Sequence, residues 1–393
     1  MKSIIERFVC VIFLQLLIIT LPLRAFDGSM SKAELYSYLS KAATMGGWMT
    51  DGDNDFNDYL DMAENTGMKF AGRAITLWGG ENRLDYKFDE LKSRIEKIHA
   101  RLPDIIIEGT TFEILTTSVE NVKVPDWVFE AFDKPVQNRN FDYQAMLNEN
   151  GEWVNHWGDG KSIPDIRRHE FQMWIYYAAR RYIDMGFEAI HFGEMGWSNM
   201  GHDDRGDDWW SVLTKVREYA SEHARRHLVL CNAFDQGGRV VNGDQLLWDF
   251  QEYPSRIQEQ CDSFMEAKMV VDYHDAIYGK TIAGNNPLGW YTERQPYLVE
   301  IDNWGNSGNQ GNCNGYPHVW GYDEITWFGK LSENDRNDWA TYAVEWLEEN
   351  DPAGRFEMPG SRINFSALSH RGNLEGTMKE IWDQVHEFVP VTE

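Results

Sequence analysis

The chain has 393 residues, with 63 Asp and Glu against 37 Lys and Arg and a formal net charge of −26. So large an acidic excess disfavours a nucleic-acid backbone as a partner, and equally disfavours electrostatic docking on an anionic membrane surface. The four cysteines form no CxxC pair and no Cys/His cluster, which argues against structural zinc; no metal and no cofactor is expected.

In chain order, the first segment is MKSIIERFVCVIFLQLLIITLPLRA, a weakly basic start followed by an apolar run from Phe8 to Leu23 and a small residue at Ala25. It reads as a signal peptide over residues 1–25, too short and wrongly flanked for a membrane span; an uncleaved N-terminal anchor is the alternative. The expectation is a secreted or periplasmic protein with no membrane attachment after cleavage, residues 26–393 forming one domain. Cys231, Cys261 and Cys313 then remain, enough for one disulfide and one free thiol without saying which two pair.

Short apolar runs next alternate with helical patterns. The strand candidates are 46–50, 69–78, 104–110, 187–194, 227–234, 245–253, 296–304 and 355–360, and the clearest helices are 85–102, 166–186 and 207–226. In the second helix Phe171, Ile175, Ala178, Ala179 and Tyr182 recur at helical spacing, and Gly186 ends it just before the fourth strand. Eight β–α units without a Gly-rich phosphate loop after the first strand predict an α/β fold, a (β/α)8 TIM barrel, over a doubly wound sheet. The connections 111–165 and 254–295, after strands three and six, are unusually long. They are expected to form walls or lids of a cleft at the catalytic face.

Alternation along each strand then assigns faces. With Tyr297, Val299 and Ile301 toward the helices, Leu298, Glu300 and Asp302 turn inward. Ile105 and Ile107 place Glu108 and Thr110 inward, and Ile190 and Phe192 place His191 inward with Glu194 at the strand end. On the sixth strand, Leu246, Trp248 and Phe250 outward would leave Asp249 and Gln251 inward. Five carboxylates (Glu108, Glu194, Asp249, Glu300 and Asp302) converging on one mouth are costly as packing, because buried charge must be paired.

Tryptophan is the other unusual feature. Many of the 17 lie in polar, Gly-rich stretches, among them Trp197, Trp209, Trp210, Trp290, Trp304 and Trp320. Paired acids at a mouth ringed by aromatic faces suit glycoside hydrolysis. One carboxyl protonates the leaving oxygen and the other attacks the anomeric carbon or activates water. Trp197 and Trp304 would stack on sugar rings, while Glu108, His191, Asn232, Asp249 and Asn303 would bind the carbohydrate substrate. Asp249 or Glu252 would gain a larger part if the acids lay on strands four and six.

Glu194 ending strand four, with Glu300 and Asp302 on strand seven, resembles the clan of retaining TIM-barrel glycoside hydrolases over most of residues 44–362. That resemblance implies Glu194 as acid/base and either Asp302 or Glu300 as nucleophile. The clan usually has Asn before the strand-four Glu, and this chain has Gly193. The competing readings are a non-catalytic glycan-binding protein on a barrel scaffold and a polysaccharide lyase, whose need for a basic residue near a uronate the acidic mouth does not meet. DGDND at 51–55 lacks the later Gly and Glu of an EF-hand loop, and Asp207 and Asp208 in HDDRGDDWW suit a helix N-terminus. Asn364-Phe365-Ser366 matches a glycosylation sequon.

Overall fold

The computed structural model describes residues 26–76, 78–200, 206–313, 315–360 and 374–384; the expected signal segment and the sequon lie outside them. Helix α1 (Lys32–Leu39) leads into β1 (Ala42–Thr44), followed by α2 (Asp53–Thr66), β2 (Phe70–Thr76), α3 (Phe88–Arg101) and β3 (Ile106–Thr110). After the long 111–165 connection come α4 (His169–Met185), β4 (Ala189–Glu194), α5 (Asp207–His223) and β5 (Leu230–Phe234). The remaining main elements are β6 (Gln251–Pro254), β7 (Tyr297–Glu300), α6 (Glu333–Asn350), β8 (Gly354–Phe356), β9 (Met358–Pro359) and α7 (Glu375–Gln384).

All ladders between these strands are parallel. β9 pairs with β1, and the order continues β2, β3, β4, β5; a second sheet runs β6, β7, β8. Because β8 and β9 are one run of chain interrupted only at Glu357, the two sheets form a single succession from β6 through to β5. Between its ends, the Asp249 N–H donates to the Cys231 carbonyl at 2.9 Å. The succession curls strongly, for the Phe70 and Phe250 rings on and beside β2 and β6 meet edge-on at 5.7 Å.

Two inward layers follow from period-two alternation. Ala42, Phe70, Ile106, Ala189, Leu230, Phe250 and Leu298 form one buried apolar cluster with Leu35, Tyr38 and Leu39 of α1. Two residues further along their strands stand Thr44, Gly72, Glu108, His191, Asn232, Glu252 and Glu300. The outward faces pack under the helices. Phe171, Ile175, Ala178, Ala179 and Tyr182 of α4 are buried as their spacing predicts, and α4 ends at Gly186.

Three expectations need correction. Residues 46–50 are a turn, not the first strand: Trp48 and Met49 are buried in it, and Arg94 of α3 holds it by donating to the Met49 and Asp51 carbonyls at 3.0 and 2.8 Å. The true β1 is only three residues of small side chains. The run 245–253 is not continuous either. Gln245–Leu246 pairs with Val240–Val241, the chain leaves strand geometry, and β6 begins at Gln251. That break reverses the parity, so Phe250 and Glu252 face inward where Asp249 and Gln251 were expected. Finally, no helix lies between β5 and β7 among the described residues; small antiparallel strands fill both crossovers, so β–α alternation is incomplete.

Candidate active site

Glu194 ends β4 where the ladder to β5 slips between His191 and Glu194. The slip is carried by Gly193, at φ +67. A Cβ there would lie 2.4 Å from Oε2 of Glu113 and 3.0 Å from Cα of Phe112, so both the left-handed backbone and the close approach require glycine. The Glu194 N–H donates to Glu113 Oε2 at 3.1 Å. Burial, then the charges of Glu113 and Asp302, push the Glu194 carboxyl up to about 7, with Arg256 pulling the other way. Glu113 is itself buried and its carboxyl is raised by that burial.

On the other side, β7 delivers Glu300 and the turn beyond it delivers Asp302. Glu300 is buried and ion-paired with the Arg73 guanidinium. Asp302 is half-buried. Its N–H donates to Glu324 Oε2 at 2.9 Å, and its Oδ2 accepts from Asn303 Nδ2 at 2.9 Å. Burial raises its carboxyl above the usual aspartate range, while Arg73 and Arg256 oppose the rise.

Beneath these groups runs a polar network. The Nδ1–H of His191 donates to Asn232 Oδ1 at 2.6 Å, and Asn232 Nδ2 donates to Glu108 Oε1 at 2.6 Å. Glu108 Oε2 accepts the Arg73 N–H at 3.0 Å. Arg73 leaves β2 on a bulge at φ 47, and its Nε donates to Glu252 Oε1 at 2.7 Å. Glu357, between β8 and β9, completes the layer against Gly72, whose Cβ would fall 1.9 Å from its Oε1. One Arg is too little positive charge for four buried carboxylates. Burial first, then like charge, holds Glu108, Glu300 and Glu357 well above the carboxylate range. Glu252 is also penalised by burial, yet His191 and Arg73 draw it down to about 2. Carboxylate oxygens of Glu252, Glu300 and Glu357 lie within 4.8 Å of one another, the grouping among the described residues with the geometry to hold a cation; Arg73 already supplies positive charge to two of them.

Glu194, Glu300 and Asp302 open into one cavity of about 760 Å³. Its walls include Trp78, Phe112, Glu113, Trp157, Trp197, Phe234, Asn303 and Trp304. Trp78 and Trp304 are 51% and 49% exposed. Trp197 lies nearly parallel to Trp153 and Trp157, with centroids 5.4 and 5.7 Å away, so its faces are largely taken up by other rings. Of the residues expected from sequence, the structure therefore gathers Glu194, Glu300, Asp302, Asn303, Trp197 and Trp304 at the cavity. Glu108, His191 and Asn232 lie under its floor. Asp249 is elsewhere: its Oδ2 accepts the Cys231 N–H at 2.7 Å and pairs with Arg217 of α5 at 3.2 Å, on the helix-facing side that the broken β6 gave it.

The expected walls are half right. The 111–165 connection supplies Phe112, Glu113 and Trp157, whereas 254–295 supplies no cavity-lining residue and acts through the charges of Arg256 and Asp275. The segment after β7 lines the cavity instead. Among the other tryptophans, Trp209 and Trp320 are core residues, and Trp290 packs at the opposite end of the sheet, donating to the Met30 carbonyl. Sequence reasoning missed Glu113, Trp78, Trp157 and Glu357. For Glu357 the signal was present, since outward Phe356 and Met358 turn it inward.

No family model matches the chain, and neither does any curated protein sequence. Among solved structures, the chain is similar to an isomalto-dextranase of Arthrobacter globiformis T6 complexed with panose. There the identity is 10%, the overlap 87% of this chain and 49% of that one, and the TM-score 0.37. It is also similar to a glycoside hydrolase family 31 dextranase of Flavobacterium johnsoniae complexed with glucose (12% identity, 88% and 39% covered, TM-score 0.46). A mutant of that dextranase complexed with isomaltotriose gives 12%, 88%, 39% and 0.45. The chain thus spans half or less of the length of each.

Proposed function

We propose that this chain is a glycoside hydrolase cleaving glycosidic bonds in a polysaccharide or oligosaccharide, with Glu194 as general acid/base and Asp302 as nucleophile. The observation that carries the reading is one aromatic-walled cavity into which two carboxyls of unlike surroundings open. Glu194 has like charges beside it and keeps its proton near neutrality; Asp302 faces Arg73 and Arg256, which favour its anion. Glu194 gives its proton to the departing oxygen while Asp302 attacks the anomeric carbon. The Glu194 carboxylate then takes a proton from the water that breaks the glycosyl–Asp302 bond, with net retention. Glu300, seated against Arg73, lies beneath them. Trp78 and Trp304 offer the most open ring surface for sugar stacking.

The scaffold in this reading is a single-domain, closed (β/α)8 barrel that has replaced its helices after β5 and β6 with small strands. A secreted or periplasmic location is favoured by the Cys261–Cys313 disulfide, since such bridges persist in oxidising compartments. The test is sugar release from a panel of neutral and charged polysaccharides by wild type, Glu194→Gln and Asp302→Asn, with the anomer of the first product read by NMR. Release is expected to fall at least about a thousandfold in both variants. Full activity in either variant would move the chemistry elsewhere, and glycan binding without release by wild type would make this a binding protein.

A further inference from the structure

The carboxylate of Glu113 has no part in the two-acid scheme, yet it reaches the main chain of Glu194 past a residue without a side chain. It leaves the chain three residues past β3, is 6% exposed, and lines the same cavity. Its Oε2 accepts the main-chain N–H of Glu194, and the room for that contact exists because residue 193 has no side chain. We propose that Glu113 is a positioning residue for Glu194: an anion anchored on the main chain of the acid, which keeps the neighbouring carboxyl protonated until the glycosidic oxygen arrives.

The hydrogen bond favours Glu113 as the charged member of the pair. A carboxylate gains from accepting N–H groups, and Glu113 accepts one from Glu194. The Glu194 side chain is half-buried beside that charge. The other charged groups acting on Glu194 are Asp302 and Asp275, which add to the effect, and Arg256, which opposes it. Burial raises the Glu113 carboxyl, and the Glu194 N–H, His191 and Arg73 oppose that rise. Substituting Gln at 113 keeps an oxygen for the N–H and removes only the charge.

This inference rests on the proposed role of Glu194, and the experiment separates the two. The protonation of Glu194 is followed by pH titration of the infrared carboxylic-acid band, as the difference between wild type and Glu194→Gln, and again between Glu113→Gln and the double variant. A shift of the titration downward by about one unit in the Glu113→Gln background supports the proposal, and an unmoved titration overturns it, whatever the substrate proves to be. On an unactivated oligosaccharide, the same variant is expected to move the alkaline limb of kcat/KM down by the same amount with KM unchanged. An aryl glycoside with a good leaving group, which needs little protonation, is expected to be spared. A uniform loss on both substrates without a pH shift would mark Glu113 as merely structural. Full hydrolysis by Glu194→Gln alongside a shifted infrared titration would instead sink the role of Glu194 and leave the Glu113 contact standing.

Discussion

Glu194 and Asp302 are both raised above their ordinary values by burial, but the charges around them differ in sign. That difference fixes the pH dependence expected of the reaction. A general acid works only while protonated, so a carboxyl lifted to about 7 extends activity upward; kcat/KM is expected to hold through mildly acidic pH and fall above about 7. A nucleophile works only when ionised, so in the proposed mechanism the rise at Asp302 moves the acid limb up from the usual aspartate range. A pH–rate profile with no loss between 7 and 8 would contradict the assignment. At this scale Glu194, Asp302 and Glu300 were legible in the sequence, since each stands at or just past the end of a run whose alternate residues are apolar. Glu113 was not, because it approaches through a loop and owes its position to a gap at Gly193. Neither feature has a periodic signal.

Strands were legible where alternation was regular. β3, β4 and β7 have helix-facing apolar residues at every second position, so the inward Glu108, His191 and Glu300 could be read directly. β1 could not, because Ala42–Thr44 is short and small while the bulky Trp48 and Met49 follow in a turn. β6 failed because parity was extrapolated across a break, and with it went the reading of Asp249. The end of β4 is where an element and a single residue meet. Gly193→Ala would have to place a Cβ against Glu113 in a left-handed conformation, at a cost of about 1–3 kcal/mol. The substitution is expected to lower the unfolding free energy by that amount and to reduce kcat more than the same change at the solvent-facing Gly196. Equal effects at the two positions would remove the case for a built contact between β3 and β4.

Over the whole molecule, the buried acidic layer and the net charge of −26 act in the same direction. Glu108, Glu300 and Glu357 have folded values well above the ordinary 4.5, so each contributes stability that is complete below 4.5 and is lost as pH rises through its folded value. Glu252, drawn down to about 2, contributes in the opposite sense, but its contribution is already complete by mildly acidic pH. Tm is therefore expected to fall as pH is raised from about 5 to about 8, and Glu357→Gln is expected to flatten that slope by raising Tm mainly at the alkaline end. Calorimetry of both proteins across that range decides it; parallel curves would mean that Glu357 carries no titrating charge. The disulfide has a consequence of another kind. Cys261 and Cys313 join the loops after β6 and β7 across 52 residues of sequence, and the second of those loops carries Asp302, Asn303 and Trp304. The strands are laddered without it, so a chain made in a thiol-buffered cytosol should still assemble its sheet while the outer margin of the cavity goes untethered. The compartment of synthesis would then be recorded in the rim of that cavity, while the assembled sheet looked the same in either.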